Sequence, residues 1–195
     1  MKTAVGSQRS VLAIAGSLRG GSLNLRLIES AADCAPPGIA VRVYRGLAEL
    51  PPLNQDLEAR AFAEGAVRSL CDQVASADGL LIATPEYNHS VPGVLKNAID
   101  WLSRPLSGEV LVGKPVAVVG ASAGRWGTRL AQAALRQVLF AAEALVLTGP
   151  PLYLAQADQA FDADGRLADE AARRALRQLL LLVGTSARGG ASALP

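Results

Sequence analysis

Five short apolar runs, each followed by a longer stretch of mixed character, constrain this chain more than any other feature. The runs are Val11–Gly16, Ile39–Tyr44, Gly79–Ala83, Pro115–Ala121 and Ala144–Leu147. VLAIAG and GLLIA are apolar throughout, as expected of strands covered on both faces in a parallel sheet. Helices are predicted from Ser22 to about Cys34, from an Asp56 N-cap to about Ser76, over Pro92–Ser103, over Thr128–Ala142 and over Gly165–Val183. In the third, Val94, Leu95, Ala98, Ile99 and Leu102 make an apolar stripe opposite Lys96, Asp100 and Ser103. Pro92 suits its first helical position, where no backbone N–H is needed.

Strict alternation of strand and helix specifies a doubly wound α/β fold with right-handed crossovers. Five strands favour the flavodoxin-like order 2-1-3-4-5 over a six-stranded dinucleotide fold. One domain is expected over residues 1–185, with the Gly/Ser/Ala-rich residues 186–195 as a flexible tail. In the 2-1-3-4-5 order the switch point lies between strands one and three, so Gly16–Asn24 and Thr84–Ser90 converge on one crevice.

The bulk properties exclude several classes. Nineteen basic residues against seventeen acidic ones show no like-charge run, which argues against nucleic acid as a partner. Cys34 and Cys71 stand apart, without the spacing of a zinc site or redox pair, and read as small core residues. The apolar run after Lys2 and Arg9 is too short for a signal peptide, and no stretch reaches the ~18 apolar residues of a membrane span. A soluble, cytoplasmic protein is expected.

The first loop, GSLRGGSLN, opens a helix whose free N–H groups and positive dipole end favour a phosphate. The lysine of a P-loop and the GxGxxG fingerprint of a dinucleotide fold are both missing. A single terminal phosphate held by Ser17, Arg19, Ser22 and Asn24 fits better than a triphosphate; a plain Gly/Ser helix-capping turn is the alternative. The second loop, Thr84–Ser90, offers Tyr87 to cover a ring face and Asn88 to supply donors and acceptors at a ring edge. The structural alternative packs Tyr87 on the helix and leaves Glu86 a solvated charge. His89, the only histidine, is a candidate proton donor. In the third loop Ser122 can reach the ring, and Arg125 can meet an anionic substrate or a nicotinamide cofactor's phosphate. No Ser-His-Asp set, carboxylate pair or metal cluster is visible, so a cofactor is expected to carry the chemistry.

GSLRGGSLN (Gly16–Asn24) and TPEYNHSVPGVLKNAIDWLSR (Thr84–Arg104) resemble the NADPH-dependent FMN reductase family, especially its chromate and quinone reductases. The likeness extends through Leu50–Glu58 and Ala121–Leu139. It implies a flavodoxin-like fold that binds FMN and uses NADPH, as a homodimer or homotetramer. By position, Ser17, Arg19, Ser22, Leu23 and Asn24 would hold the flavin's phosphate. Pro85, Glu86, Tyr87 and Asn88 would border the ring, with Ser122 and Gly124 completing its pocket. His89 and Arg125 fall on the substrate side. The resemblance assigns no catalytic side chain: flavin N5 carries the hydride, from NADPH to a quinone, chromate, azo compound or free flavin in a ping-pong cycle. Gly127-Thr128-Arg129 departs from the two glycines expected before that arginine.

Two other readings share the fold. A flavodoxin-type electron carrier would bind FMN without using NADPH, but such carriers are acidic and this chain is mildly basic. A flavin-free binding protein would be colourless and stay so after FMN addition.

Overall fold

The computed structural model describes residues 8–187. Its strands are β1 (Arg9–Ala15), β2 (Ile39–Tyr44), β3 (Gly79–Ala83), β4 (Pro115–Ala121), β5 (Leu145–Val146) and β6 (Tyr153–Leu154). Its helices are α1 (Leu23–Cys34), α2 (Glu58–Ala63), α3 (Ala66–Ala75), α4 (Gly93–Leu102), α5 (Arg129–Ala141) and α6 (Glu170–Ser186). The sheet is parallel in the order β2-β1-β3-β4-β5, as the alternation predicts.

One strand was not anticipated. β6 pairs with Gly120 and Ala121 at the end of β4, whereas β5 pairs with Pro115 and Val116 at its start. The fifth position of the sheet is therefore filled in two halves. Pro150 and Pro151, which cannot donate to a ladder, lie between them.

The period-two alternation of the strands divides the core into two layers. Leu12, Ile14, Leu80, Ile82, Val116 and Val118 face α3, α4 and α5. Val11, Ala13, Ala15, Leu81, Ala83, Ala117, Val119 and Ala121 face α1 and α6. The second set is rich in alanine, and its alanines Ala15, Ala83 and Ala121 end their strands at the carboxyl end of the sheet. In the first layer Phe62 meets Trp101 edge-on at 5.6 Å. The indole N–H of Trp101 and the amide of Asn97 donate to the Pro51 carbonyl at 2.8 and 2.9 Å, pinning the long loop after β2 to α4.

Three helix boundaries differ from expectation. The single helix from Asp56 to Ser76 is two, because Glu64 is extended and Gly65 adopts φ +86°. Asp56 is not the N-cap: α2 starts after Leu57 without a side-chain cap, and Asn54 caps the 3-10 turn Gln55–Leu57 that precedes it, accepting from the Asp56 N–H at 3.0 Å. Pro92 is the N-cap of α4 rather than its first residue, and its carbonyl accepts from Leu95 and Lys96 at 3.0 Å each. The last helix starts at Glu170, where Asp169 accepts from the Ala172 N–H at 2.8 Å, and it continues through Ser186. The remainder of the expected tail, 188–195, lies outside the described residues.

Candidate active site

At the end of β1, Gly16 donates to the Ala83 carbonyl at 2.8 Å, one step beyond the strand. A Cβ here would lie 2.8 Å from Leu95 Cδ2 and 3.3 Å from Pro85 Cδ, so a glycine lets the first loop meet the second. The loop then turns over Gly20-Gly21, closed by the Ser22 N–H donating to the Arg19 carbonyl at 3.1 Å. Ser22 is the N-cap of α1: its Oγ accepts from the Leu25 N–H at 3.1 Å, which leaves its O–H free to donate. The N–H groups of Leu23 and Asn24 find no acceptor among the described residues. Two free amides, a hydroxyl and the exposed Arg19 guanidinium thus meet at one helix end.

The Asn24 side chain does something else. It is buried, its Nδ2 donates to the Ala121 carbonyl at 2.9 Å, and its Oδ1 accepts from the Ala121 N–H at 2.9 Å. This two-way bond staples α1 to the end of β4. The residue presents only its main-chain N–H to the loop.

The second loop is a two-residue hairpin. Tyr87 and Ser90 exchange main-chain hydrogen bonds at 3.3 and 3.0 Å around Asn88 and His89, whose φ values are +49° and +60°. Positive φ at both central residues is the type I′ turn, and asparagine tolerates it better than most side chains. Tyr87 is 48% exposed, and the His89 side chain is 80% exposed. Glu86 is not a solvated charge: its Oε2 accepts from the N–H groups of Leu130 and Ala131 at 2.9 and 3.0 Å.

The third loop is braced by β6. Ser122 donates from its N–H to the Leu154 carbonyl at 2.9 Å, and its Oγ accepts from the Gly124 N–H at 3.1 Å. Arg125 lies 5.0 Å over the exposed Trp126 ring. Thr128, the departure noted in the sequence, is buried, and its hydroxyl accepts from Gln132 Nε2 at 3.1 Å.

These loops enclose a hollow of about 190 Å³ at the switch point, lined by Ser17, Arg19, Ser22, Leu23, Asn24, Pro85, Glu86, Tyr87 and Ser122 with Ala121 and Ala123. A wider apolar hollow of about 470 Å³ adjoins it, sharing Arg19 and Tyr87 and adding Gly16, Leu18, Pro92, Gly93 and Val94. Asn88, His89, Gly124 and Arg125 lie outside both linings. Leu18, Val94 and the two alanines escaped sequence reasoning because small and aliphatic side chains carry no chemical signature. A further hollow of about 460 Å³ lies beneath α2, between Glu49, Arg60 and Glu64. None of its lining residues belongs to the loops after β1 and β3, between which the switch point of the sheet lies.

The sheet order and the anion-adapted turn at its switch point define a flavodoxin-like α/β protein. Residues 9–159 match the family model described as NADPH-dependent FMN reductase, and the chain belongs to that family. It is 46% identical over 170 residues to an NAD(P)H-dependent FMN reductase of Pseudomonas aeruginosa, covering 87% of this chain and 90% of the relative. It is 39% identical over 170 residues to a 2-hydroxy-1,4-benzoquinone reductase of a Burkholderia species, with 87% and 91% covered. Among solved structures, the flavoenzyme NAD(P)H:(acceptor) oxidoreductase of Paracoccus denitrificans superposes with a TM-score of 0.82 at 35% identity, over 93% of this chain and 98% of that one. The chain is accordingly an oxidoreductase whose family uses FMN and NAD(P)H.

Proposed function

We propose that this reductase holds FMN in the switch-point crevice, draws electrons from NAD(P)H and passes them to a small planar acceptor of the quinone type. The observation that carries the reading is the donor set at α1. The Leu23 and Asn24 N–H groups, the Ser22 hydroxyl and the Arg19 guanidinium suit one terminal phosphate, held where the helix dipole favours negative charge. Ser17 lines the same hollow. Pro85, Glu86 and Tyr87, with Ser122 across the crevice, bound the space for the ring, while Asn88 and Gly124 contribute by fixing the backbone of the two walls.

Bound FMN supplies the two-electron hydride chemistry that no side chain here can perform. The protein's part is to orient and to exclude. Main-chain groups held by strands β3 and β4 do not reorganise as charge develops beside them. The adjoining apolar hollow admits a planar partner beside Tyr87, and one shared hollow makes reductant and acceptor alternate in a ping-pong sequence. We assign His89 and Arg125, which project from the two bounding loops, to the substrate side. The relatives named for FMN and benzoquinone reduction support this acceptor class, with chromate, azo compounds and free flavin as further candidates. Two free, buried thiols support placing the enzyme in the reducing cytoplasm.

The experiment is steady-state NAD(P)H oxidation by the FMN-loaded protein over a panel of quinones, chromate, an azo dye and free FMN. Parallel double-reciprocal lines with a benzoquinone are expected. No turnover with any quinone, or intersecting lines, contradicts the reading.

A further inference from the structure

Glu86 lines the crevice, yet its carboxylate acts at a distance. α5 lacks a local side-chain cap, because the hydroxyl of Thr128 at its N-cap position is engaged with Gln132. Glu86 Oε2 takes over that task from 44 and 45 residues away, accepting from Leu130 and Ala131, the second and third residues of the helix. Its Oε1 faces His89 Nδ1 at 3.5 Å, and only 17% of its side chain is exposed. One carboxylate therefore ties the second loop to the helix that the third loop leads into. Those two loops are opposite walls of the crevice. The hairpin it anchors holds two non-glycine residues at positive φ, a conformation that persists only where the surroundings fix it.

We propose that Glu86 is a positioning residue: its bond to the start of α5 sets Pro85–Tyr87 against Ala121–Ala123, and the crevice holds its ligand at full affinity only while this brace is made. The identity of that ligand rests on the FMN reading above; the brace itself does not.

The test compares Glu86→Ala and Glu86→Gln with a control, Asp169→Ala, which removes an equivalent cap from α6. Amide hydrogen exchange is followed by mass spectrometry on the flavin-free chain, and FMN affinity by fluorescence quenching. In Glu86→Ala, exchange should quicken both in residues 84–91 and in the first turn of α5, and FMN affinity should fall about tenfold, the loss of roughly one capping interaction. Glu86→Gln should restore both, since its amide oxygen can accept the same two N–H bonds. Asp169→Ala should lower the melting temperature without moving either readout. Faster exchange confined to α5, or an affinity loss of equal size in Asp169→Ala, would overturn the proposal. If Glu86→Ala does not fold, Glu86→Asp replaces it: one methylene shorter, it should show the same coupled loss, and retained protection of both loops would be contradictory. Wild-type protein that fails to bind FMN would remove the cofactor reading while the exchange data still decide the brace.

Discussion

Asn24 and Glu86 carry the residue-scale lesson. Each is a polar side chain whose sequence surroundings point toward ligand chemistry, and each makes its hydrogen bonds to main chain instead: Asn24, in the first turn of α1, to Ala121, and Glu86, in the second loop, to Leu130 and Ala131. An amide or carboxylate reads the same in sequence whether it meets a ligand or a helix end, so the positions are legible and the roles are not. Asn24→Ala leaves the buried N–H and C=O of Ala121 without partners, at about 1–3 kcal/mol for an unsatisfied group. We expect the flavin-free protein to lose about 2–3 kcal/mol in urea unfolding. An unchanged midpoint would mean that the staple contributes nothing and that Asn24 serves the ligand alone.

At the scale of elements, β1, β3 and β4 are readable because burial on both faces leaves them continuous apolar runs bounded by Gly, Pro or polar turns, and β2, at the edge of the sheet, is readable by its alternation. β6 was not: two residues long, it forms only because the end of β4 offers Gly120 and Ala121 as partners. The α2–α3 break hid inside a helix-like pattern and becomes visible only through the backbone of Gly65. Gly120 shows how tightly the elements meet at the site. A Cβ there would land on the Thr128 hydroxyl and within 2.5 Å of the Thr84 carbonyl oxygen, so β4, the second loop and the start of α5 converge on a residue without a side chain. Gly120→Ala should therefore cost about 2–3 kcal/mol by overpacking and slow FMN uptake, measured by unfolding and by stopped-flow quenching. Wild-type stability would show that the three elements are not held in register there.

For the molecule as a whole, two large apolar side chains stand outward on one face of α5 with Ala133 and Gln137, Leu130 at 52% and Phe140 at 79% exposure. Large apolar side chains this exposed suit a contact surface. We propose that this face joins two copies of the chain as a homodimer, with a tetramer built by pairing dimers. Phe140→Asp should shift the mass seen by light scattering after gel filtration toward the monomer; an unchanged mass places the interface elsewhere.

We propose that one phosphate on the amino end of α1 anchors the cofactor. The decisive experiment titrates the flavin-free protein with FMN and with riboflavin, which differ only in that phosphate. Charge-assisted hydrogen bonds of about 1.5–3 kcal/mol each predict that FMN binds at least about 100-fold more tightly than riboflavin. Equal affinities would contradict the assignment of the crevice.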